Sequence, residues 1–412
     1  MKYLVILADG AADYKIPELG GKTPLQYANT PNMDMLAPQS LIGQVATIPM
    51  GFPPGSDVAN LSVMGYDPAK YYTGRSPIEA VSMGVELQEK DLALRCNLVT
   101  LSDELNYAEK TMVDYSSGEI TSAESGELVA MLQSQLGNET FKFYPGISYR
   151  HLLVWNNGVG NEMLLTPPHD ISGRKIGEYL PQGKDALSLL ELMTKSYDIL
   201  ARHPINKARK ATGHNPATSA WFWGQGSKPS LVGFKELYNL NGSVVAAVDL
   251  VRGLGISAGL IPVAVPGATG GIITNFAGKA RAALDELKRG QDFVYVHIES
   301  PDEAGHQGNA DQKVWSIEQI DREIIGLIIS EMDQFEELRI MLLPDHPTPI
   351  AIKTHSSEPV PFMIFDKNNT KGNGIQTYDE AAATQGIFVE KGHDLMGFFI
   401  RGGGIISKSY NM

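Results

Sequence analysis

The chain has 412 residues, more than one hydrophobic core usually organises, so two domains, or one domain with a large insertion, is the starting expectation. With 43% hydrophobic and 20% charged residues it is neither fibrous nor largely disordered, and a net charge of −13 argues against tracking a nucleic-acid backbone while suiting, without requiring, cation binding. The single cysteine, Cys96, excludes an intramolecular disulfide and an all-cysteine metal site, and fits a reducing cytosol.

The first expected element is a buried strand at 3–7 that ends at Asp9-Gly10, with an apolar run too short for a signal peptide. Ser56 follows a Pro54-Gly55 turn and precedes an expected helix. It reads either as an N-cap or as a hydroxyl beside amide donors that favour a phosphate. From about 86 to 243 the texture changes to shorter alternating segments, including 92–101 and 151–155, with helices expected at 122–136 and 186–202 and loops at 167–170 and 224–229. This predicts an inserted, smaller α+β domain (86–243) within a core domain built from 1–85 and 244–412. Downstream, 293–298 and 339–343 read as buried parallel strands, and 279–288 and 314–332 as helices, the second with Ile317, Ile320, Ile324, Leu327 and Ile328 on one face. The glycine runs at 267–271 and 402–404 read as turns or hinges, the turn being the default. Asp249, Arg252 and Pro262 interrupt the longest apolar stretch, so no transmembrane helix or membrane partner is expected, and the protein is expected in the cytoplasm.

In open α/β sheets, ligands bind at the carboxyl ends of the strands. Three expected strands lead into acids or histidines: Asp9, then Asp302 with His306, then Asp345 with His346; His355 follows at a fourth polar site. Singly these are ordinary. An Asp-Gly is commonly a turn, and a lone histidine commonly a surface or satisfied core residue. Asp302 and His306 are spaced as an i, i+4 pair on a helical turn, yet Pro301 and Gly305 suit an irregular loop at least as well. Their conjunction at the ends of one sheet is the signal. Mixed carboxylate and imidazole ligands suit Mn²⁺ and Zn²⁺, with Mg²⁺ at oxygen-rich positions, and two such ions can clamp both oxygens of a phosphoryl displacement.

These residues lie in longer ordered matches: Leu7-Ala8-Asp9-Gly10, residues 30–34, residues 54–68, residues 72–77, residues 95–100, residues 149–154, residues 301–306, residues 343–346, and Thr354-His355 with 359–362. Over nearly its whole length the chain resembles the archaeal-type 2,3-bisphosphoglycerate-independent phosphoglycerate mutases, metalloenzymes of the alkaline phosphatase superfamily. The resemblance implies an α/β, alkaline-phosphatase-like sandwich with a central, mostly parallel sheet. It also implies two divalent ions, Mn²⁺ foremost with Zn²⁺ or Mg²⁺ as alternatives, and no 2,3-bisphosphoglycerate. Asp9, Ser56, Asp345 and His346 would hold one ion, and Asp302, His306 and His355 the other. Ser56 would carry the phosphoryl group between the two hydroxyls of a small phosphorylated hydroxy acid. The resemblance also implies that the inserted domain binds substrate as a lid; Arg95, Arg150, His151, His169 and Asp170 within it, with Arg75 just before it, are the implied substrate contacts, and a homo-oligomer is left open.

The chain departs from that pattern at 219–226, where Trp221 and Trp223 stand in place of a more cationic stretch and alternate as on a strand; core packing is their ordinary reading. Together with His203-Pro204-Ile205-Asn206, this resembles a bacterial branch of the family proposed to phosphorylate homoserine. A phosphatase, with water as acceptor, and a scaffold that keeps the metals without the chemistry are the remaining readings.

Overall fold

The computed structural model describes residues 1–158 and 163–402. The chain forms two compact units, one of Met1–Tyr72 with Ser230–Met412 and one of Thr73–Pro229. The expected boundaries at 85 and 244 therefore move to 73 and 229. The reason is burial: the helix Ser76–Ser82 packs against strands of the second unit, while Phe234 stacks on Phe293 of the first at a ring separation of 4.4 Å. Texture along the sequence changed later than the packing did.

The strands, in chain order, are β1 (Lys2–Ala8), β2 (Ser40–Val45), β3 (Leu92–Leu101), β4 (Met112–Asp114), β5 (Phe141–Tyr144), β6 (Arg150–Trp155), β7 (Ser219–Ser227), β8 (Gly242–Val245), β9 (Ile261–Pro262), β10 (Phe293–Ile298), β11 (Leu338–Leu343), β12 (Val360–Asp366) and β13 (Ile387–Val389). In the first unit the sheet order is β13-β2-β12-β11-β1-β10-β8-β9, parallel except for the antiparallel pairs that β12 makes with β11 and β2. With helices packed on it, this is the central, mostly parallel sheet of the expected α/β sandwich.

β1 lies between β10 and β11, parallel to both, with Ala8 opposite Ile298 and Leu7 opposite Leu343. The carboxyl ends of all three strands therefore coincide, and whatever follows them converges. Leu4 and Ile6 of β1 are fully buried in the same core as Ala280, Ala283, Leu284 and Leu287 from the helix Phe276–Lys288. Each such leucine or isoleucine stabilises the fold by about 1.5–3 kcal/mol relative to exposure.

The expected helix at 314–332 is a composite: α-helix over Ala310–Gln319, a π-helical turn over Ile320–Ile325, and α-helix over Gly326–Glu331. Ile317, Ile320, Ile324 and Ile328 are buried in the core as the spacing predicts, whereas Leu327 is only half-buried at its edge. The wider turn has a local use, since the Asp321 carboxylate accepts hydrogen bonds from the Asn32 and Met33 amides at the start of the helix Pro31–Leu36. Gly267 has a left-handed φ of 75° in a turn, as does Gly402 at the end of the helix Asp394–Arg401; residues 403–404 of the second glycine run lie outside the described residues.

In the second unit β3 is the centre, flanked by β6 and β7 and joined to β4, all antiparallel, with β5 beyond β6. The helices Ser122–Leu136 and Ala186–Leu200 pack on it, the first opened by a Thr121–Glu124 capping box. Trp221 and Phe222 are buried in its core, and Cys96 is buried in β3. β7 continues through Gly224–Ser227, where a loop was expected; Gly224, at φ 63°, lies where the β3–β7 register shifts near Arg95. A bulge keeps the chain extended where glycine-rich sequence alone suggests it stops.

Candidate active site

Asp9 follows β1 directly, and its amide continues the ladder by donating to the Ile298 carbonyl at 2.9 Å. Asp345 and His346 follow β11. All three side chains are completely buried, and Asp302 is nearly so. The His346 Nε2 lies 3.0 Å from Ser56 Oγ, 3.4 Å from Asp345 Oδ2 and 3.7 Å from Asp9 Oδ1. Beside this group, Asp302 Oδ2 is 3.2 Å from His306 Nε2, Asp302 Oδ1 is 3.5 Å from His355 Nε2, and the two imidazole nitrogens are 3.0 Å apart. The two groups adjoin, with the His346 and His355 ring centroids 4.1 Å apart. The structure thus brings together all seven residues that the resemblance implied as ligands.

The local sequence accounts for this placement. Ser56 is the first residue of the helix Ser56–Val63 rather than its N-cap, which is Gly55. One turn on, the Asn60 amide donates to the Ser56 carbonyl and to Asp345 Oδ2, while Tyr295 Oη–H donates to Asn60 Oδ1. Residues 300–307 form a helix, not a loop. Pro301 falls in its first turn, where a missing N–H costs nothing, and Gly308 ends it at φ 68°. Gly10 has φ 62°, and a Cβ there would meet Thr348 Oγ1 at 2.6 Å and the Asp302 backbone at 2.7 Å. The buried Lys313 ammonium donates to the Ala12 and Thr348 carbonyls and to Asp13 Oδ2, stapling the loops after β1 and β11. Asn60, Lys313, Thr348, His297 and Glu299 were not legible as site residues. Asn60 had a signal, being four residues after Ser56 on one helix; the others act through contacts between distant segments.

Four carboxylates meet here. Burial first, then the charges of Asp345, Glu299 and Asp302, push Asp9 well above the usual carboxylate range. Asp302 falls well below it despite burial, because His306 and His355 hydrogen-bond to it. His346 is pushed down by burial. Asp9 Oδ1 is buried with no hydrogen-bond partner, an arrangement that costs free energy unless a cation meets it. Asp9 with Asp345 and His346, and Asp302 with His346 and His355, are groups able to hold a divalent ion.

A family profile described as 2,3-bisphosphoglycerate-independent phosphoglycerate mutase matches residues 37–206. A relative from Geobacter sulfurreducens named as a probable enzyme of that type is 50% identical over 96% of this chain and 98% of its own. One from Methanosarcina barkeri, named as the enzyme, is 49% identical over 97% of this chain and 100% of its own. The chain belongs to the 2,3-bisphosphoglycerate-independent phosphoglycerate mutase family. A solved structure of a Pyrococcus horikoshii protein superposes with a TM-score of 0.81 at 32% identity, covering 97% of this chain and 96% of that one. The cofactor-independent phosphoglycerate mutase of Thermoplasma acidophilum does so at 0.66 and 25% identity, covering 98% and 100%. Among the described residues no helix is long and apolar enough to cross a membrane.

In this member of the mutase family the expected substrate residues all lie in the unit Thr73–Pro229. Glu79 gathers arginines: Arg75 Nε lies 2.9 Å and Arg95 Nε 3.0 Å from its carboxylate, which burial raises but Arg95, Arg75 and Arg150 together hold below its ordinary pKa. Burial brings Arg95 down to about 10, and its guanidinium lies over the Trp223 ring at 4.7 Å. Arg150 lies over Tyr149, and His169 packs edge-on to Trp223 beside Asp170. His151 is different. It is buried and brought down to about 3, and its Nδ1 accepts the Gly146 N–H, which holds the turn before β6. Trp223, read from sequence as core packing, also forms the wall beneath Arg95, with its Nε1–H donated to Asn97.

Proposed function

We propose that this chain interconverts 3-phosphoglycerate and 2-phosphoglycerate through a phosphoserine at Ser56, with two divalent ions, in the cytoplasm. The observation that carries the reading is Ser56 Oγ at 3.0 Å from His346 Nε2, at the edge of a buried acid and histidine set, in a chain of this family. Asp9, Ser56, Asp345 and His346 are assigned to one ion and Asp302, His306 and His355 to the other. Mixed oxygen and imidazole sets suit Mn²⁺ and Zn²⁺, with Mg²⁺ at oxygen-rich positions, and family resemblance puts Mn²⁺ first. When bound, the ions lower the serine hydroxyl's pKa and neutralise charge on the transferring phosphoryl group.

Ser56 Oγ gives up its proton and attacks phosphorus, the bond from phosphorus to the glycerate oxygen breaks as that oxygen takes up a proton, and the phosphoryl group rests on the serine. The glycerate then turns, and its other hydroxyl gives up its proton and attacks the same phosphorus as the bond to Ser56 breaks and Oγ is reprotonated. Asn60 holds the Ser56 carbonyl and the Asp345 carboxylate in one geometry throughout. The positive end of the helix Ser56–Val63 faces the anionic phosphoryl group. Arg75, Arg95 and Arg150 are the proposed carboxylate and phosphate contacts, because a planar guanidinium binds either with two parallel hydrogen bonds. Asp170 and His169 complete the proposed substrate set, and His151 supports it from the core.

The relatives compared above that carry a functional name are named for phosphoglycerate, and none favours homoserine as acceptor. The test is ³¹P NMR of Mn²⁺-loaded protein with 3-phosphoglycerate, without ATP or 2,3-bisphosphoglycerate, beside a tube of homoserine and ATP. The expected result is 2-phosphoglycerate in the first tube. Inorganic phosphate alone would make it a phosphatase, and a new phosphomonoester in the second tube alone would overturn the mutase reading. Ser56→Ala is expected to lose turnover by about 10⁴–10⁶-fold while still binding divalent ions.

A further inference from the structure

We propose that His297 is a positioning residue: its Nε2–H donates to Asp9 Oδ2 and so turns the other oxygen, Oδ1, toward the ion shared with Ser56, Asp345 and His346. The inference rests on the two-ion reading above.

Asp9, His297 and Glu299 have the composition of a third metal site, with ligand atoms close together. Distances separate the two interpretations. Ligands bonded to one ion at about 2.0–2.2 Å lie about 3.3–3.6 Å from one another in tetrahedral geometry and about 2.8–3.1 Å in octahedral geometry. The assigned ligand atoms are 3.0, 3.2, 3.4, 3.5 and 3.7 Å apart, spread across those ranges. Asp9 Oδ2 and His297 Nε2 are 2.7 Å apart, which is too close for two ligands and is the length of a hydrogen bond to a carboxylate.

The far side of the ring agrees. His297 is completely buried and its Nδ1 has no hydrogen-bond partner. A neutral ring carries one proton. On Nδ1 it would be a buried donor with no acceptor, and the Nε2 lone pair would face Asp9 and, at 3.4 Å, Glu299. On Nε2 it has an acceptor.

The sheet sets the pairing. In the parallel register His297 is opposite Leu7, and Asp9 is two residues beyond Leu7 on the same face. Asp9 is thereby left with Oδ1 free of hydrogen bonds, whereas Asp345 Oδ1 accepts the Gly10 and His346 amides and Asp302 Oδ1 accepts the Thr348 hydroxyl. Of these three acids, Asp9 is the one whose outer contact is an imidazole. Such outer contacts orient ligands and commonly change metal affinity by about 10–100-fold.

Mn²⁺ binding to the full chain, by equilibrium dialysis with atomic absorption, tests this with wild type, His297→Leu and His297→Gln. Wild type is expected to bind two ions. His297→Leu should lose about 10–100-fold in affinity for one ion only, and His297→Gln, whose amide supplies a donor, should recover most of it. Two ions at wild-type affinity in His297→Leu would overturn the inference and leave the two-ion reading standing, whereas a wild type that binds fewer than two overturns both. Should His297→Leu fail to fold, ¹⁵N-histidine NMR of Zn²⁺-loaded wild type decides. A hydrogen-bonded proton on the His297 Nε2 is expected; a proton on Nδ1, or an Nε2 bonded to the metal, overturns it.

Discussion

Glu380 shows how a single side chain outside the site sets a pH dependence. Its carboxylate accepts the Thr23 hydroxyl and the Asp13 amide, yet burial pushes its pKa up to about 7. An unfolded chain holds a glutamate near its ordinary value of about 4.3. Because the folded pKa is the higher one, the contribution to stability is fully present below about pH 4.3 and is lost as pH rises through the folded value. Glu380→Gln removes that loss. The shift alone is worth about 3–4 kcal/mol at pH 8, but the amide turns one of the two accepting oxygens into a donor, so the variant is expected to be more stable than wild type by about 1–2 kcal/mol there, with the advantage shrinking toward pH 4. Thermal unfolding across that range measures it, and a constant offset would mean that burial is not what shifts the group.

At the scale of elements, two helical glycines with the same intrinsic cost lead to opposite expectations. Gly305 lies in the helix Ser300–Gln307, where a Cβ would stand 2.5 Å from the Thr348 carbonyl oxygen. Gly126 lies in the helix Ser122–Leu136 with nothing within 4 Å of a Cβ. Alanine improves helix propensity by about 1 kcal/mol at either position. At Gly126 that gain is expected in full. At Gly305 it is outweighed, because backbone cannot yield as a side chain can, and Gly305→Ala should destabilise by about 1–3 kcal/mol and weaken Mn²⁺ binding through Asp302 and His306. Equal stabilisation of both variants would show that the helix and the Thr348 loop are not in tight contact.

At the scale of the whole molecule the ligand groups lie in one unit and the arginine cluster in the other, and each unit has its own hydrophobic core. Asp9, Glu299, Asp302 and Asp345 repel one another unless cations are present. An ion held at about 100 times its Kd stabilises the fold that binds it by about 2.7 kcal/mol. Chelation is therefore expected to speed hydrogen exchange in residues 9–13, 300–308 and 345–355 while leaving β3, β6 and β7 unchanged. Uniform loss of protection through both units would contradict that division.

What the sequence determined by itself is local. Runs such as 3–7 and 293–298 are apolar and rich in branched or aromatic side chains, so they bury as strands whatever their neighbours. Acids and histidines placed just after them mark the ligand end of an α/β sheet, which is why Asp9, Asp302, Asp345 and His346 could be read in advance. The tertiary structure decided which strands are neighbours. β1 pairs with β10 and β11, each some 290 or more residues away, and no local pattern encodes that register. His297 illustrates the limit. Within its strand it reads as one more buried position, and it becomes a partner of Asp9 only because parallel pairing sets it beside Leu7. The unit boundary at 73 and the bulge near Gly224 were hidden for the same reason, since each depends on contacts with residues far away in the chain, while the helix at 300–307 was one of two readings that local spacing left open.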